Sequence, residues 1–387
     1  MSRYDAIVAG AGFSGAVMAE RLASQLGWRV LVLEQRNHIA GNCHDQYDDA
    51  GILIHTYGPH IFHTRHAAVW NYLSQFTEWR RYEHRVLGEV DGELIPIPFN
   101  LTSLRRCFSA TQASRLEGKL VAAYGRDARV PILELRRSDD DDLKSLADFI
   151  YEKVFVNYTA KQWGCRPDEI SADVSARVPV VVSEDDRYFQ DPYQGIPVQG
   201  YSALIGRMLD QPGIEVALDT ALRQRVTISA PDILLDGKPF LGRLIYTGMV
   251  DELFDYCLGE LPYRSLQFRF ETLDIPQFQP VATVNFPNAP GLTRITEFKQ
   301  LTGQMSSQTT IVREYPQAYD RHDETRNVPY YPVFTEENRQ RYQRYADLVK
   351  TIPGLQCLGR LGEYRYLNMD DAVANALQQF SQLEAAQ

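Results

Sequence analysis

Tyr4-Asp5-Ala6-Ile7-Val8-Ala9-Gly10-Ala11-Gly12-Phe13-Ser14-Gly15 stands near the start of the 387-residue chain, and Glu34 follows 19 residues after Gly15. Residues 4–9 form a short apolar, β-branched run, the pattern of a buried strand. In the G-x-G-x-x-G that follows, Gly10 permits a tight turn and Gly12 lets a pyrophosphate reach the backbone. Gly15 lets helix and strand pack closely. Ala16, Ala19, Leu22, Ala23 and Leu26 then recur at helical spacing, and Gly27 stops the helix. Residues 29–34 read as a second strand. Strand, glycine turn, helix and strand imply a parallel β-α-β unit. The helix opens at Gly15, and its free N–H groups suit phosphates. Glu34 is placed to accept hydrogen bonds from a ribose with a free 2′-hydroxyl. The bare glycine motif also fits a tight structural turn; its full context points to a dinucleotide.

Gln35-Arg36-Asn37-His38-Ile39-Ala40-Gly41-Asn42 comes next. An acidic strand end, a basic residue and a Gly-Asn step resemble the FAD-binding proteins of the glutathione-reductase type. Proteins of that class bring a C-terminal strand and helix back to the cofactor. Here Gly359-Arg360 through Asn368-Met369-Asp370-Asp371 opens a helix whose N-terminus could face it.

Further along, residues 111–124 and 142–156 carry apolar side chains on one helical face, so a helical subdomain is expected over 100–165. Asp139-Asp140-Asp141-Asp142 reads as a solvated turn and helix N-terminus. Residues 257–341 lose that periodicity. Short β-branched and aromatic runs at 265–271, 281–286 and 309–315 read as antiparallel strands. A last strand is expected over 355–360 and a last helix over 370–380.

Composition narrows the partners. Forty Lys and Arg stand against 50 Asp and Glu, a net charge of 40 − 50 = −10, which argues against a nucleic-acid surface. Five widely spaced cysteines without a C-x-x-C argue against a disulfide framework or a zinc site, so a reducing, cytoplasmic setting is expected. The uncharged run 6–19 is too short to span a bilayer. The 22 tyrosines, each an apolar ring with a polar tip, suit packing and nucleotide or sugar pockets. His55, His60, His63 and His66 cluster around Gly58-Pro59, which fits a loop against a cofactor better than a metal site.

The chain resembles the bacterial UDP-galactopyranose mutase family. The resemblance lies in Tyr57-Gly58-Pro59-His60-Ile61-Phe62-His63-Thr64, Tyr158-Thr159-Ala160-Lys161-Gln162-Trp163-Gly164 and Arg177-Val178-Pro179-Val180. It continues through Asp186-Arg187-Tyr188-Phe189, Tyr193-Gln194-Gly195-Ile196-Pro197, Leu261-Pro262-Tyr263-Arg264 and Thr293-Arg294-Ile295-Thr296-Glu297. It ends with Pro329-Tyr330-Tyr331-Pro332 and Tyr364-Arg365-Tyr366-Leu367-Asn368-Met369. These segments run from one end of the chain to the other in family order.

The resemblance implies an α/β fold: a Rossmann-like FAD-binding domain, an inserted helical domain and an antiparallel six-stranded sheet domain. The expected division is 1–77, 197–256 and 342–387 for FAD, 100–165 for the helices, and 78–99, 166–196 and 257–341 for the sheet. It implies an isomerase that interconverts UDP-galactopyranose and UDP-galactofuranose through a covalent flavin N5–sugar adduct, with no net redox change. FAD would be needed reduced. The same chemistry on another nucleotide sugar, such as dTDP-fucopyranose, and a true FAD oxidoreductase are the alternatives.

Matched positions carry the expected roles. His63, Arg177, Arg294 and Arg360 are the catalytic candidates. Substrate contacts are expected at His84, Tyr158, Thr159, Trp163, Arg177, Tyr188, Asn285, Arg294, Tyr331, Tyr366 and Asn368. Cofactor contacts are expected at Gly10, Gly12, Phe13, Ser14, Gly15, Glu34, Gln35, Arg36, Gly41, Asn42, His60, Ile61, Val216, Gly248, Arg360, Met369, Asp370, Val373 and Ala374. A diphosphate calls for bidentate, permanently charged donors, which arginine supplies. No metal and no membrane insertion are expected, and a homodimer is. Two features depart from the pattern: Asn368 stands where many members have Asp, and the stretches 227–240 and 319–327 look long.

Overall fold

The computed structural model describes residues 3–164, 179–323 and 327–385. Its first layer is a five-stranded parallel sheet. The order is Ile214–Ala217, Val30–Leu33, Ala6–Ala9, Arg243–Tyr246 and Leu355–Cys357. The two glycine-motif strands are buried along their whole length. That explains their unbroken apolar runs, since a parallel sheet is covered on both faces. The helix Phe13–Leu26 begins two residues earlier than the sequence pattern suggests. Its end is as read: Gly27 takes the left-handed conformation, and its N–H reaches the carbonyls of Leu22 and Ala23. Ala16, Ala19 and Leu22 pack toward Val373, Ala376 and Phe380 of the last helix, Met369–Ala385. Small side chains on the first helix allow that close approach.

Between the third and fourth parallel strands the chain forms an antiparallel meander, Val226–Ser229, Asp232–Leu235 and Lys238–Pro239. This is what the long stretch 227–240 builds.

The second sheet differs from the expected six antiparallel strands. It has seven, in the order Tyr331–Pro332, Tyr263–Leu273, Thr309–Ala318, Arg294–Glu297, Thr283–Asn285, Val86–Val90 and Glu93–Ile97. The step between Thr283–Asn285 and Val86–Val90 is parallel. Its two strands come from distant parts of the chain, so no hairpin forces them antiparallel.

The helical part has its own core, in which Leu104, Leu116, Leu120, Leu143, Leu146 and Ile150 meet. Asn100 and Ser109 each close a capping box at a helix start. Asp140 caps Asp141–Ile150 by accepting from the N–H groups of Asp142 and Leu143, and Lys119 pairs with its carboxylate. The expected helix over 142–156 continues further, with a change of pitch. Tyr151–Val156 is π-helical, and Asn157–Trp163 returns to α. The expected strand 355–360 stops at Cys357. Gly359, at φ +83°, then starts a short helical turn through Gly362.

Among the described residues no helix is long and apolar enough to cross a membrane.

Candidate active site

The carboxyl ends of the central parallel strands open into a cavity of about 660 Å³. This is the crevice where doubly wound sheets place ligands. Of the cofactor candidates, Gly10, Gly12, Phe13, Ser14, Gly15, Glu34, Gln35, Arg36, Gly41, Asn42, His60, Gly248, Arg360 and Met369 line it.

Buried Glu34 is held by two backbone donors, Ala11 N–H to Oε2 at 2.8 Å and Arg36 N–H to Oε1 at 3.0 Å. Each oxygen keeps a lone pair for a ribose hydroxyl. Arg36 lies over the Tyr57 ring at 4.6 Å and donates from Nη2 to Asn42 at 2.9 Å. Its Nη1 is buried without a hydrogen-bond partner. A buried guanidinium N–H without an acceptor is costly, and an anionic or polar cofactor group would satisfy it.

The glycines divide by purpose. A Cβ on Gly15 would sit 1.9 Å from the Gly10 carbonyl oxygen, and one on Gly10 would sit 2.1 Å from Thr247 Oγ1. A Cβ on Gly12 would meet only Gly41 Cα, at 3.7 Å. Protein packing therefore requires Gly10 and Gly15, whereas Gly12 leaves open a cradle on the cavity wall. Together with the orphaned Arg36 nitrogen, that cradle fits an FAD pyrophosphate and ribose.

Five expected cofactor contacts do not line the cavity. Met369 and Ala372 share the face of the last helix that does. One hundred degrees of rotation per residue carries Asp370 and Ala374 off that face, whereas Val373, four residues after Met369, stands at its edge. Val373 is fully buried in the helix-packing core. Asp370 is turned toward Thr64 and His63. Ile61 packs with the small cluster around Phe298, and Val216 against the first-helix core. Asn368, expected at the substrate, lines this cavity too.

A second group of polar and aromatic side chains adjoins Arg360. The Arg360 guanidinium hydrogen-bonds the carbonyls of Leu367 and Tyr330. It also lies 5.3 and 5.2 Å from the rings of Tyr331 and Tyr366. Those two tyrosines stack, with centroids 5.5 Å apart.

Across the group, Arg294 Nε donates to Glu314 Oε1 at 2.7 Å. Burial is the largest single influence and works against the Arg294 charge, but Glu314 together with Tyr158 and Tyr331 holds the group well above the usual arginine range. Tyr158 and Tyr331 face the same guanidinium. Asn285 stands directly opposite Arg294 in the strand register.

His84, buried and near Arg294 and His63, is depressed by desolvation to about 3, so it is neutral at physiological pH. It packs edge-on to Tyr188. His63 stacks on Phe189 at 3.6 Å, and its Nδ1 lies 2.6 Å from Asp191 Oδ2. Thr159 shares the helix of Tyr158. Arg177 and the side chain of Trp163 lie outside the described residues.

Residues that sequence reasoning missed complete the picture. Glu314 is fully buried, and its Oε2 has no hydrogen-bond partner. Asp191 anchors His63. Thr247 ties the fourth strand to the first through the Ala9 carbonyl at 2.8 Å and lines the cavity. Val226, Thr227 and Ile228 of the meander line it too, so the long stretch reaches the cofactor site; Tyr319 and Asn327 of the other stretch also do. Glu314→Gln removes the charge that orients Arg294 but keeps its shape. It is expected to raise KM for a diphosphate sugar about tenfold, since a charge-assisted hydrogen bond contributes about 1.5–3 kcal/mol; steady-state kinetics checks it.

Among the described residues no group of three or more His, Cys, Asp or Glu side chains is arranged to hold a metal ion. His55 and His60 of the cluster are both held neutral by burial, near 3. The His60 backbone N–H donates to His55 Nδ1 at 2.9 Å, which braces the loop that brings His60 to the cavity.

Comparison with known proteins gives consistent results. A family model described as UDP-galactopyranose mutase matches residues 153–366, and one described as an NAD(P)-binding Rossmann-like domain matches 8–76. UDP-galactopyranose mutase of Mycoplasma pneumoniae is 35% identical, over 99% of this chain and 96% of its own. A dTDP-fucopyranose mutase of Escherichia coli is 31% identical, over 96% of each. The crystal structure of a reduced UDP-galactopyranose mutase superimposes with a TM-score of 0.72 at 15% identity, covering 100% of this chain and 95% of the other.

Proposed function

The chain belongs to the UDP-galactopyranose mutase family, and from that premise we propose that it interconverts UDP-galactopyranose and UDP-galactofuranose as a flavin-dependent isomerase. The observation that carries the proposal is the adjacency of two sites. The glycine-lined cleft and the arginine–tyrosine cluster meet at Arg360, which lines the first and lies against the two tyrosines of the second.

A bound, reduced flavin would supply an electron-rich centre toward the anomeric carbon, with no net redox change. The chain's own residues bind and hold. Gly12, the first turn of its helix, Glu34 and Arg36 would carry the pyrophosphate and ribose of FAD. Arg294, with Arg177, would hold the UDP diphosphate both while it is attached and after it leaves, so it stays poised for return. Tyr158, Tyr188, Tyr331 and Tyr366 would wall that diphosphate and donate to it. Tyr158, Thr159 and Trp163 would receive the nucleoside. Asn285, His84 and His63 would face the sugar. Asp191 would fix which His63 nitrogen carries a proton, leaving Nε2 as an acceptor.

In this reading residues 1–77, 197–256 and 342–387 serve the cofactor and the remainder closes over substrate. A cytoplasmic homodimer completes it.

The test is incubation of FAD-loaded, dithionite-reduced protein with UDP-galactofuranose, followed by chromatography. Formation of UDP-galactopyranose without consumption of an electron acceptor is the expected result. Conversion of dTDP-fucopyranose at a higher kcat/KM than the UDP sugar would reassign the substrate. Inertness toward both would overturn the proposal.

A further inference from the structure

Lys161 lies in the helix Asn157–Trp163, between the proposed nucleoside contacts Tyr158 and Trp163. Its ammonium donates to three backbone carbonyls of a single turn: Phe286 at 2.7 Å, Ala289 at 2.8 Å and Leu292 at 2.7 Å. An ammonium has three N–H donors and no acceptor, so the turn satisfies it completely.

That turn joins the strands Thr283–Asn285 and Arg294–Glu297, which carry Asn285 and Arg294. Its own backbone closes through Phe286 N–H to the Thr293 carbonyl at 2.8 Å and Leu292 N–H to the Pro290 carbonyl at 2.8 Å, with Gly291 at φ +73°. The carbonyls of residues 286, 289 and 292 all accept from the one Lys161 ammonium, which draws the turn together around it. Asn288 reinforces the junction. It accepts from Asn157 Nδ2 at 3.0 Å and donates to the Lys153 carbonyl at 3.1 Å. On the helix's other side, Arg264 donates to the carbonyls of Lys161 at 3.0 Å and Gln162 at 3.2 Å.

We propose that Lys161 is a positioning residue that fixes the spacing between the nucleoside-binding helix and the strand carrying Arg294, and thereby sets affinity for a ligand that spans both. The inference rests on the UDP-sugar reading above. Its physical basis is effective concentration: once the base is seated, the diphosphate meets its arginine at a local concentration set by how rigidly the two halves are joined. A lysine that merely stabilised the fold would weaken all ligands alike, or none.

The experiment uses FAD-loaded Lys161→Met, which keeps the apolar stem and loses all three donors. Calorimetric titrations with UDP, with uridine and with inorganic pyrophosphate are compared with the parent, alongside kcat and KM. The expected result is a UDP affinity at least tenfold weaker and a KM raised by the same factor. Saturated kcat stays within threefold, and both half-ligands bind within twofold of the parent. UDP affinity within twofold of the parent, or an equal loss for the half-ligands, overturns the proposal. If the parent itself fails to bind UDP, the UDP-sugar reading falls instead. Should Lys161→Met lose FAD, Lys161→Gln retains two donors and is expected to weaken UDP at least threefold. Unchanged UDP binding there likewise overturns the proposal.

Discussion

Arg294→Ala is expected to lower kcat/KM for the UDP sugar by on the order of a thousandfold while the flavin stays bound. Two effects add. The diphosphate loses a permanently charged, planar donor, and charge-assisted hydrogen bonds are about twice as strong as neutral ones. The substitution also strands Glu314, which is fully buried and takes its ion pair from Arg294 at 2.7 Å. An uncompensated buried charge costs about 3–5 kcal/mol, and here it would repel the dianionic ligand as well. Stability and catalysis can be told apart with the double variant Arg294→Ala/Glu314→Gln. It is expected to recover most of the lost melting temperature and none of the lost turnover. Full activity in Arg294→Ala, measured with saturating reductant, would remove this arginine from the mechanism. Flavin absorbance is the control, because Arg294 does not line the cofactor cavity.

Gly12→Val is expected to give folded, colourless protein, with FAD affinity lowered at least about a hundredfold. Gly12 has φ −79° and ψ −176°, extended backbone that a valine adopts without strain. An added Cβ meets only Gly41 Cα at 3.7 Å. The Cβ therefore costs the fold little, and the side chain is expected to occupy the cradle where a pyrophosphate must approach the helix N-terminus. Losing two charge-assisted bonds of about 1.5–3 kcal/mol each is enough for that factor. Gly15→Val is the contrast. Its Cβ would overlap the Gly10 carbonyl oxygen at 1.9 Å, so it is expected to fail to fold rather than merely fail to bind. Circular dichroism and visible absorbance of the purified variants separate the two outcomes. A yellow Gly12→Val protein would move the cofactor phosphates elsewhere.

The sheet core and cofactor cleft were legible because their signals are local. Four-residue apolar strands, a glycine turn and an acid at the second strand's end all lie within 34 residues. The first-helix face and Gly27 were read from spacing alone. The second sheet was less legible. Its parallel step joins residues 86–88 to 283–285, and no local pattern marks a pairing across that distance. Glu314 shows the same limit. In sequence it looks like the equally acidic Glu271 of the neighbouring strand, which stands opposite Ile311, and only the register that sets Arg294 against Glu314 distinguishes it. Asp370, Val373 and Ala374 illustrate a finer one. The helix was expected at the cofactor, but which of its faces looks inward depends on packing against Phe13–Leu26, not on the helix's own sequence.

The π-helical stretch Tyr151–Val156 has a consequence for how the chain can vary. A wide turn inside a continuous helix is what one inserted residue produces. Each inserted or deleted residue rotates everything beyond it by about 100°. Upstream, Leu143, Leu146 and Ile150 stay locked in the helical core. Downstream, the same helix presents Tyr158 toward Arg294 and Lys161 toward the turn at 286–292. The bulge therefore separates two periodicities that a uniform helix would force into one phase. Substitutions on one side can drift without re-aiming the other, whereas a single-codon deletion between them alters the active site from within the scaffold.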